Sequence, residues 1–231
     1  MLTESDIQKF EAIIGYSFND KALIKQALTH SSFANEQKIN KSGDYERLEF
    51  LGDSILEMVS SSYLFKKYPE KKEGEMTKMR ASMVCEAALA FCAADIGLAQ
   101  FIQLGKGEEA TGGRHKDSII SDVMEAVIGA IYLDSGIENA TNHINKFILN
   151  DLENKQVFYD SKSVLQELVQ SQGLGHISYE ICGETGPEHD KIFKTAVMVG
   201  EKKLGEGAGK TKKAAEQKAA YEAILVLKNN K

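Results

Sequence analysis

Two acidic runs are the residues here whose type and spacing could do chemistry. In Glu46-Arg47-Leu48-Glu49-Phe50-Leu51-Gly52-Asp53-Ser54, a helix would place Glu46, Glu49 and Asp53 at i, i+3 and i+7, within roughly 60° of arc. Leu48, Leu51 and Ile55 form a separate apolar side. Asp122 and Glu125 repeat the i, i+3 spacing inside an otherwise apolar run of Ile119, Ile120, Val123, Val127, Ile128, Ile131 and Leu133. An unpaired carboxylate is expensive to bury. If the two helices pack, their acids face each other and make an oxygen-rich pocket. Such a pocket suits Mg²⁺, a hard cation that takes carboxylates and retains waters. Gly52 costs about 1 kcal/mol relative to Ala inside a helix, which points to a close neighbour there. Solvated faces, or ion pairs with Arg47 and Arg80, account for the same spacing. Carboxylate pairs also serve glycosidases, on strands or loops that line a sugar groove. Spacing alone leaves these readings open.

A second feature is basic. Gly205-Glu206-Gly207-Ala208-Gly209-Lys210-Thr211-Lys212-Lys213-Ala214-Ala215-Glu216 reads as a glycine-rich loop before a helix, with Lys210, Lys212 and Lys213 crowding the first turn. The helix dipole disfavours cations at that end. The placement becomes favourable when an anion binds, because backbone N–H groups and lysines then act together. The glycines are one residue too close for a Walker phosphate loop, and no parallel-sheet strand precedes them, so no nucleotide cofactor is expected.

The elements that must carry these residues are legible from periodicity and punctuation. Ser5 would cap a helix from Asp6 to Ile14 stopped by Gly15, and Asp20 would open one through Leu28. Long helical patterns run from Asp44 to Tyr68, closed by Pro69, and from Glu75 to Ile96, closed by Gly97. The second carries Met76, Met79, Met83, Ala87, Ala90 and Ala94 as a core-facing stripe. Further helices are expected over Asp117–Leu133 and Ile137–Leu149. After a polar connection come a helical run at Lys162–Gln172 and β-like runs at Ile177–Cys182, Ile192–Val199 and Lys203–Gly205. A helix over Thr211–Leu227 closes the chain. The expected architecture is an all-α domain over residues 1–151, a linker over 152–160, and a small α+β domain of α-β-β-β-α order over 161–229.

The net charge of −6 conceals an asymmetry. Residues 1–159 hold 17 Lys/Arg against 24 Asp/Glu, whereas residues 160–231 hold 11 against 10. A polyanion is therefore expected on the second part, with cation-holding acids in the first. The three cysteines show no C-x-x-C pair, so no zinc site or disulfide framework is indicated. No apolar run approaches the roughly 20 residues that span a bilayer, and Met1–Asp6 lacks the features of a secretory signal. The expectation is a cytoplasmic protein without a membrane partner.

Glu46 to Ser54 matches the nine-residue signature of the bacterial ribonuclease III family. Four more segments resemble that family in order and separation: Ala27-Leu28-Thr29-His30-Ser31-Ser32; Glu73-Gly74-Glu75-Met76-Thr77 with Arg80-Ala81; Gly105-Lys106-Gly107-Glu108-Glu109 with Gly112-Gly113-Arg114; and Asp122-x-x-Glu125-Ala126 with Ile128-Gly129-Ala130. Tyr45 stands where many members have Asn, and Ser121 where many have Ala. The resemblance implies an endonuclease specific for double-stranded RNA. Glu49, Asp53, Asp122 and Glu125 would hold Mg²⁺, or Mn²⁺ in its place. Asp53 and Glu125 would be catalytic, with Glu125 the acid whose loss is most damaging. Glu46 and Glu73 would be accessory acids, and Phe50 would insert into the second subunit of a homodimer. His30 is read as a structural hydrogen-bonding residue rather than a general base.

The second part resembles the double-stranded-RNA-binding domain through its terminal Lys-Lys-x-Ala motif and the helix holding Ser163, Gln166, Glu167 and Gln170. That resemblance implies that Ser163, Gln166, Glu167 and Gln170 lie on the RNA-facing helix, with Gln166 and Glu167 at 2′-hydroxyls in one minor groove. His189 would meet the next groove, and Lys210, Lys212 and Lys213 would span the phosphates between. Precursor ribosomal RNA and structured messenger RNA are the substrates implied, cut in both strands to 5′-phosphate and 3′-hydroxyl ends with short 3′ overhangs. A binding protein without catalysis is the rival reading.

Overall fold

The computed structural model describes residues 2–38, 43–150, 161–185, 191–209 and 211–229. The chain divides into two units, Met1–Asn150 and Asp151–Lys231.

The first unit is helical: α1 (Glu4–Ile14), α2 (Lys21–Ala27), α3 (Ser31–Glu36), α4 (Glu46–Lys67), α5 (Glu73–Met83), α6 (Glu86–Asp95), α7 (Lys106–Ala110), α8 (Asp117–Ser135) and α9 (Ile137–Phe147), with 3₁₀ turns at Leu98–Phe101 and Gly113–His115. Helix α1 starts earlier than the expected Ser5 cap. Thr3 accepts from the Asp6 N–H while the Asp6 carboxylate accepts from the Thr3 N–H, a capping box that satisfies two end donors at once. Gly15 closes the helix in the left-handed region at φ 70°. Asp20 caps α2 by accepting from the Ala22 N–H.

The run expected as one helix over Glu75–Ile96 is two. The break falls at Val84 and Cys85, where Cys85 is extended with φ −72° and ψ 160°. Its physical cause is packing on different partners, since α5 lies against α4 whereas α6 lies against α8. The stripe changes register with the break. Met83 is buried, but Ala87 and Ala94 face solvent, and α6 buries Ala88, Leu89, Cys92 and Ala93 instead.

Helix α8 is the centre of the unit. It buries Val123, Met124, Ala126, Val127, Ile128, Ala130 and Ile131 and packs against α2, α4, α6 and α9. Such burial around most of its circumference explains its near-continuous apolar sequence. The crossing with α4 is made by two glycines. A Cβ on Gly52 would lie 1.8 Å from the Glu125 carbonyl oxygen, and one on Gly129 would lie 2.3 Å from the Leu48 carbonyl oxygen. Those backbones touch only because neither residue has a side chain.

The second unit contains α10 (Ser161–Ser171), β1 (Ile177–Thr185), β2 (Ile192–Val199), β3 (Lys202–Gly209) and α11 (Lys212–Asn229). The strands form an antiparallel sheet in the order β1-β2-β3. The core combines Leu165 and Val169 with Val197, Val199 and Leu204 of the sheet and Ala219, Ala220, Ala223 and Ile224 of α11.

The glycines read as a loop before the last helix are in a strand. A Cβ on Gly205 would lie 2.4 Å from the Ala219 carbonyl oxygen, and one on Gly207 would lie 2.3 Å from that of Ala215. The glycine spacing is therefore a helix-on-strand contact, with the alanines of α11 supplying the other half.

Candidate metal centre and nucleic-acid interface

The α4–α8 crossing determines where the acids go. With Gly52 against Glu125 and Gly129 against Leu48, the acidic face of α4 lies along the side of α8 that carries Asp122 and Glu125. Glu49, Asp122 and Glu125 each present an oxygen within 4.8 Å of the others, and all three are half-buried. Asp53 is exposed at the margin, where its charge acts on both Glu49 and Glu125. Glu46 is also exposed and acts electrostatically on Glu49. Glu73 opens α5, where it accepts from the Thr77 hydroxyl at 2.8 Å, and no described contact joins it to the cluster.

Among the described residues none of Glu49, Asp53, Asp122 and Glu125 makes an ion pair. Arg80 pairs with Glu57 at 3.5 Å and donates to the Ser61 hydroxyl at 2.7 Å. The electrostatics follow. Burial, then the charges of Asp53, Glu49 and Asp122, pushes the Glu125 carboxyl up to about 8. Burial first and the neighbouring acids second raise Glu49 as well. Burial also raises Asp122, against the hydroxyl bonds from Tyr45 and Ser121. A half-buried set of mutually repelling oxygens, with no ion-paired cation among the described residues, is the donor chemistry of a hard divalent metal. This all-oxygen donor set fits a hard divalent cation, which Glu49, Asp122 and Glu125 could hold between them with Asp53 at the edge.

Two neighbours escaped the sequence reading. Tyr45 is buried just before α4, and its hydroxyl donates to Asp122 at 3.2 Å. Nothing in its position announces a partner 77 residues away. Glu57 adds to the charge raising Glu125, and its spacing four residues beyond Asp53 on the same helix was the available signal. His30 caps α3, an element the periodicity did not show. Its Nδ1 accepts from the Ser32 N–H at 3.1 Å and lies 2.7 Å from the Ser32 hydroxyl. That matches a structural role.

Phe50 is 78 % exposed, so it packs into no core of its own chain. Met58 and Phe65 on the same helix are exposed too, at 53 % and 71 %.

In the second unit, Ser163, Gln166, Glu167 and Gln170 are all exposed on α10. The helix is tied to α11 by Ser161, whose hydroxyl donates to the Gln217 carbonyl, and by the Lys162–Glu216 pair at 2.5 Å. Lys212 and Lys213 are exposed in the first turn of α11, where the Thr211 hydroxyl accepts from the Ala214 N–H at 3.1 Å. Phe193 is half-buried with the Lys212 ammonium 5.8 Å from its ring centre. His189, Lys210 and the 152–160 linker lie outside the described residues. No helix among the described residues is long and apolar enough to cross a membrane.

The family model described as Ribonuclease-III-like matches residues 20–152, and that of the double-stranded RNA binding motif matches 161–227. Ribonuclease 3 of Caldanaerobacter subterraneus subsp. tengcongensis is 48 % identical over 220 residues, covering 94 % of this chain and 96 % of its own. Ribonuclease 3 of Listeria welshimeri is 46 % identical over 219 residues, with the same two coverages of 94 % and 96 %. A solved nuclease domain of ribonuclease III from Campylobacter jejuni, described as flexible in a region involved in dimer formation, superposes with a TM-score of 0.58. It is 44 % identical and covers 62 % of this chain and 95 % of that one. With a matching nuclease domain, a matching RNA-binding motif and near full-length relatives, this chain belongs to the ribonuclease III family.

Proposed function

We propose that this chain is a Mg²⁺-dependent endonuclease that hydrolyses both strands of double-stranded RNA. It leaves 5′-phosphate and 3′-hydroxyl ends with short 3′ overhangs, and it acts on precursor ribosomal RNA and structured messenger RNA in the cytoplasm. Residues 1–151 form the nuclease domain, 152–160 the linker and 161–229 the RNA-binding domain. The observation that carries the reading is the convergence of Glu49, Asp122 and Glu125 within 4.8 Å, with no ion pair to any of them among the described residues.

Glu49, Asp53, Asp122 and Glu125 hold the metal, Asp53 and Glu125 are the catalytic acids, and Glu46 and Glu73 are accessory. When bound, Mg²⁺ or Mn²⁺ offsets the negative charge of the phosphodiester, lowers the pKa of water and stabilises the departing 3′ oxygen. The protein's part is to keep its carboxylates fixed on two packed helices, so that little reorganisation is required when the phosphate arrives. Burial and the neighbouring acids push the Glu125 carboxyl up to about 8, so holding a cation there would require Glu125 in its ionised form.

Exposed Ser163, Gln166, Glu167 and Gln170 read the minor groove, with His189 in the next one. Lys210, Lys212 and Lys213 bridge phosphates, and shape rather than sequence is recognised. Two strands call for two sites, which a two-fold homodimer supplies. Exposed Phe50 supports that assembly.

The test is gel analysis of a perfect RNA duplex with Mg²⁺, with Ca²⁺, and with Mg²⁺ plus Glu125→Ala. Staggered cuts in both strands are expected with Mg²⁺. In Glu125→Ala the cuts should vanish while duplex binding persists. Tight binding without cleavage in Mg²⁺ or Mn²⁺ would overturn the reading in favour of a protein that acts by occupancy.

A further inference from the structure

We propose that Tyr45 is a positioning residue for the metal centre, fixing the Asp122 carboxylate through its hydroxyl while its own ring packs beside the ring of His30. The inference rests on the metal-holding role given to Asp122 above and adds a residue to which no role has been given.

The geometry is that of a rigid bracket. Tyr45 is 4 % exposed, and its hydroxyl donates to Asp122 Oδ2 at 3.2 Å. One carboxylate oxygen is thereby engaged, and the carboxylate keeps its remaining acceptor capacity for the pocket shared with Glu49 and Glu125. The Tyr45 backbone has no freedom to drift. Its N–H donates to the Thr29 carbonyl at 2.9 Å, and its carbonyl accepts from the N–H groups of Leu48 and Glu49 at 2.8 and 2.9 Å. The ring lies beside the His30 ring, with centroids 5.6 Å apart. His30 is held in turn by Ser32 through Nδ1 and by its own N–H, which donates to the Gln103 carbonyl at 3.0 Å. The Ser32 hydroxyl also accepts from the Gly105 N–H at 2.9 Å. An unbroken set of contacts thus runs from the start of the 105–116 segment to the Asp122 carboxylate.

The chemistry of the donor matters as much as its place. A lysine or arginine at this point would orient Asp122 equally well, but its positive charge would oppose the entry of a cation. A phenol donates a hydrogen bond and adds no charge. Partners one step behind a metal's ligands typically change metal affinity roughly 10–100-fold when removed.

The experiment measures the thermal midpoint of the full chain against Mg²⁺ concentration for wild type, Tyr45→Phe, Asp122→Asn and the double variant. Tyr45→Phe keeps the ring and should leave the midpoint in EDTA nearly unchanged. The Mg²⁺ concentration for half the stabilisation should rise roughly tenfold. In the Asp122→Asn background the same change should have no further effect on the Mg²⁺ response. In wild type labelled at the tyrosine ring carbon, one NMR signal should move on Mg²⁺ addition and stay put in Asp122→Asn. That arm holds even where Tyr45→Phe does not fold. Equal Mg²⁺ dependence in wild type and Tyr45→Phe, a loss that persists without Asp122, or no Mg²⁺-sensitive tyrosine signal would each overturn the positioning role and leave the metal centre standing. A wild type whose midpoint ignores Mg²⁺ would overturn the metal reading and this one together.

Discussion

At the scale of single residues, Glu125 is where burial and charge work against each other most. Its carboxyl is raised to about 8 by burial and by Asp53, Glu49 and Asp122, so the metal-free fold prefers it protonated. A carboxyl whose folded pKa lies above its unfolded value near 4.5 adds stability below that value. The contribution is lost as pH rises through the folded pKa. Metal-free protein should therefore lose thermal stability between about pH 5 and pH 8, and Mg²⁺ should restore it by favouring the ionised form. Glu125→Gln should flatten that pH dependence. In EDTA at pH 8.5 or so it should raise the midpoint by roughly 2–4 °C, with the effect reduced because the group is only half-buried. Scanning fluorimetry across pH with and without Mg²⁺ decides it, and parallel curves for wild type and variant would refute the account. The residues of this centre differ in how well the sequence announced them. Glu49, Asp122 and Glu125 were visible because helical spacing is local and acids stand out in an apolar run. Tyr45 was not, since its bond to Asp122 joins positions that only the tertiary fold brings together.

At the scale of elements, the two units share one device: glycine lets a helix approach another backbone until polar atoms nearly touch. In the first unit it sets the spacing of α4 and α8, and hence of the acids. In the second it seats α11 on β3. Adding a methyl where a carbonyl oxygen would lie 1.8 Å away forces the helices apart. Gly52→Ala should cost on the order of 1–3 kcal/mol or more in stability and weaken the Mg²⁺ response, because overpacking displaces backbone. Gly207→Ala should weaken duplex binding and leave the Mg²⁺-induced stabilisation of the nuclease domain intact. Midpoint shifts and filter binding separate the two; a Gly52→Ala protein with wild-type metal response would deny the crossing its role. Gly52 was readable in advance as a point of close approach, because a glycine inside a helix needs a reason. The glycines of β3 were misread, since glycine before a lysine-rich helix looks the same whether the chain turns or extends. The break between α5 and α6 was hidden for a related reason: a continuous helical pattern does not reveal that its halves pack on different partners.

At the scale of the whole molecule, an acidic nuclease half and a slightly basic RNA-binding half divide the work of meeting a polyanion. The acidic half cannot attract RNA through its own charge, so binding and cutting should separate cleanly under mutation. Phe50, 78 % exposed beside the acidic face, is the natural probe of assembly. If Phe50 seats the proposed dimer, Phe50→Asp should leave a monomer in sedimentation velocity where wild type sediments as a dimer and abolish paired cuts, while duplex binding by the second domain survives. The lysines at the head of α11 provide the complementary probe. Lys212 and Lys213 are exposed at a helix end where their charge is locally unfavourable, a placement compensated when phosphates bind there. Each phosphate contact releases condensed counterions, so removing one should flatten the dependence of log affinity on log salt by roughly one unit. Lys212→Ala with Lys213→Ala should therefore weaken duplex binding strongly at low salt and much less at high salt, with little regard to RNA sequence. The cleavage rate at saturating RNA should hold, because the lysines belong to the RNA-binding domain and the acids to the nuclease domain. A lost affinity with an unchanged salt slope would mean that these lysines support the fold of α11 rather than meet phosphate, and the RNA-facing surface would then have to be sought along α10.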